Sequence, residues 1–415
     1  MSYIKELGKK SKKAAEDLLN QTSAVKDAAL LAIADAIYAE RDSIKEVNKI
    51  DLDNAAENNM TKALIDRLTL TDARIDGMCD GIKEIVGMRD PVGIIKEGSV
   101  RPNGMQIQKV TVPIGVIGII FESRPNVTVD AAALCLKAGS AVILRGGKEA
   151  VNSNRKLTSI MRNAVAKAGL SEDVISFVDD TSRETAAEMM KLNDYIDLLI
   201  PRGGASLINA VVQNATVPVI QTGVGNCHIY VDSDADLQMA VNIIENAKTK
   251  RPSVCNAVET IIIHEKVAAE FLPLLKTRLD KYLVQFRGCK KTIDILGGNI
   301  PLATEEDYTV EFLDLIVAVV IVDEYKDAVS HIRKYSSGHS EAIITNNYNT
   351  SNMFIKQVDS AAVYVNASTY FSDGAQFGYG AEIGISTQKL HARGPMGLND
   401  LTSYKYVIQG KGQVR

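Results

Sequence analysis

The chain predicts an α/β fold built on doubly wound parallel sheets, and three observations carry that prediction. From residue 113 onward, strand-like and helix-like segments alternate, the pattern of repeated βα units. The strand-like runs at 116–121 and 315–322 are apolar at nearly every position, as strands covered on both faces must be. Glycine-bearing turns close two of the strands, at Arg145-Gly146-Gly147-Lys148 and Pro201-Arg202-Gly203-Gly204. A doubly wound sheet takes its ligands at such strand ends.

Residues 3–60 read as helical, with Leu30, Ile33 and Ile37 at helical spacing and Lys26, Asp27, Asp35 and Glu40 left for the wet face. Thr71 and Asp72 can cap a further helix that carries Ile75, Met78, Cys79, Ile82 and Ile85 on one face. After a break at Asp90-Pro91-Val92-Gly93, residues 105–112 alternate polar and apolar, as a half-exposed strand does. The tail at 402–408 alternates likewise and can pair with it, forming a small oligomerisation ribbon. Strands are expected at 116–121, 141–144, 174–178 and 195–200, with helices at 129–138, to 168, and at 183–192. A second α/β unit begins near Gly223-Val224-Gly225, with strands at 229–231, 260–264, 315–322, 342–345 and 362–366. The expected division is therefore 1–100 with 114–226, then 227–390, with 101–113 and 396–415 as the ribbon.

Composition removes several classes of function. With 46% apolar and 24% charged residues, 415 residues suffice for two or three well-buried domains. A net charge of −4 leaves no basic footprint for nucleic acid or anionic membrane. The longest apolar runs, 112–121 and 315–322, are too short to span a bilayer. The lysine-bearing start lacks a secretory pattern. Five widely spaced cysteines and five scattered histidines form neither a disulfide framework nor a metal ligand set. A reducing, cytoplasmic setting is expected.

The stretch Arg251-Pro252-Ser253-Val254-Cys255-Asn256 sets a cysteine between a basic segment (Lys248, Lys250, Arg251) and the apolar run 260–263. Neighbouring cations favour the thiolate, the nucleophilic form. The plainer alternative is a small apolar filler. Cys79 and Cys135 fall on helical core stripes. Cys227 adjoins His228, but neighbouring strand residues point to opposite faces and make a poor nucleophile–base pair. Cys289 lies in a basic loop. The two glycine turns would bring backbone amides to a phosphate, although neither follows the standard dinucleotide fingerprint.

Taken in order, the Pro125-Asn126 turn, the two glycine turns, Gly223-Val224-Gly225 and the cysteine resemble the aldehyde dehydrogenase superfamily along nearly the whole chain. The stretches 116–128, with Phe121-Glu122-Ser123-Arg124-Pro125-Asn126, 141–149, 200–205 and 254–256 are similar to its branch that reduces L-glutamyl 5-phosphate. That resemblance implies an NADPH-dependent, cytoplasmic homo-oligomer producing glutamate 5-semialdehyde for proline synthesis, with glutamate 5-kinase as a possible partner; the alternatives are another acylating aldehyde dehydrogenase, using coenzyme A or another acyl phosphate, and a non-catalytic protein of the same fold. It implies Cys255 as nucleophile, Asn126 as oxyanion donor, and Arg145 or Lys148 on the adenosine ribose and its 2′-phosphate. It implies Glu311 on the nicotinamide ribose. Lys250, Arg251, His391 and Arg393 become candidates for the substrate's phosphate and carboxylate, beside the reading of each as a solvated surface charge. Where hydrolytic members carry a Glu-Leu-Gly-Gly base motif, Thr222-Gly223-Val224-Gly225 stands here. The missing base suits a reductase, which must not hydrolyse its thioester.

Overall fold

The computed structural model describes residues 2–415; Met1, where the expected first domain begins, lies outside the described residues, and nothing is said of the side chains of Lys62 and Ala63. The chain divides into two compact units: residues 1–222 with 378–384 and 396–415, and residues 223–377 with 385–395. The division falls between Thr222 and Gly223, earlier than the expected 226/227. Residues 378–384, expected in the second unit, belong to the first.

In the first unit, four parallel strands lie in the order Ile175–Phe177, Ala141–Arg145, Val116–Phe121, Leu198–Arg202. Chain order runs outward from Val116–Phe121 in one direction, then returns to its other side. This reversal is the topological switch point, where a crevice opens beyond the strand ends. The middle strand is buried at all six positions, which its unbroken apolar run requires. The last strand is Leu198–Arg202 rather than 195–200, because the Asp197 carboxylate instead accepts the Val116 N–H at 2.8 Å.

The helix Asn126–Lys137 starts three residues before the expected 129; Pro125 just ahead of it supplies a pre-set φ of −58°. The helical start of the chain is three helices, Tyr3–Leu18, Ser23–Ala39 and Arg41–Glu57. Lys26, expected on a wet face, is buried: it pairs with Asp90 at 2.7 Å and donates to the Lys137 carbonyl at 3.0 Å. A second helix face is covered here, and the ammonium is tolerated only because it is partnered. Thr71 caps Asp72–Gly87 through the Arg74 N–H, and Ile75, Met78, Cys79, Ile82 and Ile85 are that helix's buried face.

The ribbon has three antiparallel strands, Ile95–Val100, Gln106–Pro113 and Thr402–Gln409. The tail pairs with Gln106–Pro113 as expected, from Thr402 opposite Pro113 to Gln409 opposite Gln106. Ile95–Val100, placed by the expected division in the first domain, is its third strand. It was hidden by a stretch, Ile-Lys-Glu-Gly-Ser-Val, that buries nothing.

The second unit holds six parallel strands in the order Ala362–Val365, Ser340–Ile344, Cys227–Val231, Val258–His264, Ile316–Val322, Gln285–Gly288. Its central strands Cys227–Val231 and Val258–His264 are wholly buried. One face packs on the helices Leu237–Thr249 and Glu265–Asp280 through Ile244, Ala247, Phe271 and Leu275. Ile262 and Tyr230 face the opposite core with Ile332 and Phe354.

Candidate active site

In the second unit, Cys255 lies in the irregular segment between the helix Leu237–Thr249 and the strand Val258–His264. It therefore sits at the amino end of a central strand, not at a carboxyl end. Among the five cysteines, Cys79, Cys135 and Cys227 are buried, while Cys255 and Cys289 are half-buried. Neighbours hold the segment from several sides. The Cys227 thiol donates to the Cys255 carbonyl at 3.2 Å. The buried Asn256 amide donates to the carbonyls of Tyr370 at 3.1 Å and Ser372 at 3.0 Å, and the Thr369 hydroxyl donates to the Asn256 carbonyl at 2.8 Å. Gly225 packs against the same backbone, and a Cβ there would overlap the Cys255 carbonyl. A nucleophile needs this kind of fixed support.

Lys248 does not join a basic turn beside Cys255. It is fully buried and pairs with the equally buried Glu259 at 2.6 Å. Desolvation raises the Glu259 pKa and lowers that of Lys248, and their contact ties the helix end to the strand across the cysteine segment. Lys250 and Arg251 remain exposed on that segment. Glu311 accepts the Gly225 N–H at 2.8 Å, which sets it against the glycine that backs Cys255. Arg393 is committed elsewhere, to the Asp359 carboxylate at 2.8 Å and carbonyl at 2.9 Å. His391 is exposed, with a left-handed φ of 64°. Cys227 is set aside: burial pushes its thiol well above the usual range, so it is a poor source of thiolate. Its imidazole neighbour is not the adjacent His228 but His339, whose Nδ1 lies 3.6 Å from the sulfur.

In the first unit, Asn126 opens its helix and its side-chain amide donates to Asp130 at 2.9 Å. Burial pushes the Asp130 carboxyl up to about 6, against the Asn126 hydrogen bond that works to lower it. Sequence reading missed Asp130, although its place four residues on along a helix was the available signal.

The glycine turns differ from expectation. The Gly204 N–H is not open to a phosphate: it donates to the Glu122 carboxylate at 2.9 Å. A Cβ at Gly203 would overlap that carboxylate, one at Gly147 the Glu149 carboxylate, and one at Gly146 the Asn154 amide. Contacts within the chain therefore account for these glycines. The cations also separate. The Arg145 guanidinium donates to the carbonyls of Thr181 at 2.6 Å and Ser182 at 3.1 Å, while its buried Nε has no partner. Lys148 is exposed, with no ion-pair partner within reach among the described residues. Of the two cations only the exposed Lys148 ammonium is open to an anionic ligand. Among the described residues, no group of His, Cys, Asp and Glu could hold a metal ion, and no helix is long and apolar enough to cross a membrane.

Parallel sheets, a cysteine held on a buried polar scaffold and a cationic strand end agree with what comparison with known proteins finds. Residues 2–293 match the model of the aldehyde dehydrogenase family, and the chain belongs to that family. It is an oxidoreductase of that family, whose members work with NAD(P).

More particularly, it is 56% identical to γ-glutamyl phosphate reductase of Heliobacterium modesticaldum, covering 98% of each chain. It is 55% identical to that of Desulforamulus reducens over the whole of both. The crystal structure of γ-glutamyl phosphate reductase from Thermotoga maritima, 49% identical, superposes with a TM-score of 0.97 over all of both chains. An acetylating aldehyde dehydrogenase from Geobacillus thermoglucosidasius, 16% identical, shares the fold, with a TM-score of 0.74 over 99% of this chain and 97% of that one.

Proposed function

We propose that the chain reduces L-glutamyl 5-phosphate to L-glutamate 5-semialdehyde with release of phosphate, using NADPH, in proline biosynthesis. Its full-length likeness to enzymes of that name supports the reaction. The half-buried Cys255, gripped through its own carbonyl and through Asn256, supports the mechanism. The Cys255 thiolate attacks the acyl carbon, a carbon–sulfur bond forms, and the carbon–oxygen bond to phosphate breaks, leaving a thioester. NADPH, when bound, supplies the hydride by which that thioester becomes the aldehyde and the sulfur is freed. Asn126, through its side-chain amide, is the proposed oxyanion donor, and one such donor lowers the barrier by about 3 kcal/mol.

Lys148 is the better holder of the 2′-phosphate, because the Arg145 Nη2 already serves two carbonyls. Glu311 would grip the nicotinamide ribose. Lys250, Arg251 and His391 stay in place as candidates for substrate anions, and Arg393 would first have to leave Asp359. Thr222 stands where hydrolytic relatives carry their base. Its hydroxyl is buried and donates to the Pro201 carbonyl at 2.8 Å, so it supports a reductase. The lability of an acyl phosphate favours direct supply by glutamate 5-kinase, and we place the enzyme in the cytoplasm as a homo-oligomer.

The test is the reverse reaction, NADP reduction by glutamate semialdehyde with phosphate or with coenzyme A as acceptor. Strict phosphate dependence is expected, and turnover that ignores phosphate would sink the proposal. Cys255→Ala should lose nearly all turnover while still binding NADPH.

A further inference from the structure

We infer that Glu149 is a positioning residue: it fixes the turn that presents Asn126 and links that turn to the cofactor-side cation Lys148. The inference rests on the reading of Asn126 as oxyanion donor. The turn Glu122-Ser123-Arg124-Pro125-Asn126 leaves the central strand Val116–Phe121 at the switch point of the first unit's sheet. Within it, Ser123 holds a left-handed φ of 51°, a conformation that costs a residue with a side chain free energy unless neighbours impose it. The neighbour is Glu149. One oxygen of its carboxylate accepts both the Ser123 N–H at 2.7 Å and the Ser123 hydroxyl at 2.9 Å.

The other side of the turn is anchored as well. The Glu122 N–H donates to the Arg202 carbonyl at 3.1 Å, and its carboxylate accepts the Gly204 N–H at 2.9 Å. Three residues past Ser123, Asn126 begins the helix, and Asp130 takes one of its amide hydrogens. The second amide hydrogen is aimed by whatever sets the backbone at 123–126. Glu149 follows Lys148 directly in the short helical turn Lys148–Ala150. A cofactor phosphate gathered by Lys148 would thus steady the same turn that orients the oxyanion donor.

A purely structural Glu149 would affect stability alone, so kinetics discriminate. The variants are Glu149→Ala, Glu149→Gln, Glu149→Ala with Ser123→Gly, and Asn126→Ala. Each is assayed for kcat and KM in the phosphate-dependent reaction, for NADPH Kd by fluorescence, and for thermal midpoint. Because a displacement of about 1 Å at a catalytic group costs on the order of 100-fold, E149A should lower kcat by roughly 10- to 100-fold with NADPH Kd little changed. E149Q keeps the acceptor oxygen and should recover most of the rate. Adding S123G to E149A should restore several-fold, because glycine accepts the left-handed backbone unaided.

Unchanged kcat in E149A, equal losses in E149A and E149Q, or a loss confined to NADPH binding would each overturn the inference. If E149A does not fold, Glu149→Asp, one methylene short of Ser123, replaces it under the same expectations. Asn126→Ala separates the two levels. If N126A loses rate and E149A does not, only the positioning role falls. If N126A keeps full rate, the oxyanion reading falls first.

Discussion

Lys148 and Arg145 stand three residues apart, yet their side chains are in different situations, and this decides which one should read the cofactor. Lys148 is exposed, whereas burial lowers the pKa of Arg145, whose Nη2 is held by two carbonyls. Lys148→Ala should therefore raise the KM for NADPH by roughly 10-fold, the scale of one charge-assisted contact, and leave the KM for NADH unmoved. Arg145→Ala should instead lower the thermal midpoint. Asp130 gives a pH prediction. Folded, it keeps its proton up to about 6, against an ordinary value of 3.8. Between those limits the folded state binds more protons than the unfolded chain, so stability falls as pH rises through that window. Asp130→Asn should flatten this slope and stabilise the protein at pH 7, by no more than the roughly 3 kcal/mol that moving the carboxyl from 3.8 to about 6 is worth. Urea denaturation between pH 4 and 7 would measure it.

At the scale of elements, the cysteine segment is framed by a helix and a strand joined through Lys248 and Glu259. Removing one partner of a buried pair leaves an uncompensated charge, at about 3–5 kcal/mol. Lys248→Met should destabilise the protein by that amount in denaturant titration, and Lys248→Met with Glu259→Leu should recover much of it. These elements also show what could be read beforehand. Val116–Phe121 and Ile316–Val322 announced themselves because a strand covered on both faces needs an unbroken apolar run, whereas Val258–His264 showed only through Ile261-Ile262-Ile263, its Glu259 and Thr260 masking the start. Gln285–Gly288, an edge strand, did not, since Gln-Phe-Arg-Gly has no such run. The local setting of Cys255 left nucleophile and apolar filler both open, and the family resemblance singled it out. The roles of Glu122, Glu149 and Lys248 were not, because each depends on a partner that only the tertiary fold brings near: Gly204, Ser123 and Glu259.

For the whole molecule, the ribbon carries the open question of assembly. Tyr404, Tyr406 and Ile408 recur at every second position of the edge strand Thr402–Gln409, and each is at least half exposed. Alternate residues of a strand share a face, so this is an exposed apolar row along one face of the ribbon's outer strand, a feature proteins normally cover. Tyr406→Lys with Ile408→Lys should shift light-scattering mass toward the single chain at micromolar concentration. An unchanged mass would show that the row is not the contact.

Gly223 and Gly225 bear on how the reaction class could change over evolutionary time. A side chain at 223 would strike Thr387, and one at 225 would strike the Cys255 carbonyl. Thr222, just before them, has its hydroxyl already bonded and sealed from solvent. A carboxylate at 223 or 225 would first have to displace the Thr387 side chain or the Cys255 carbonyl, which works against acquiring a water-activating base at either position.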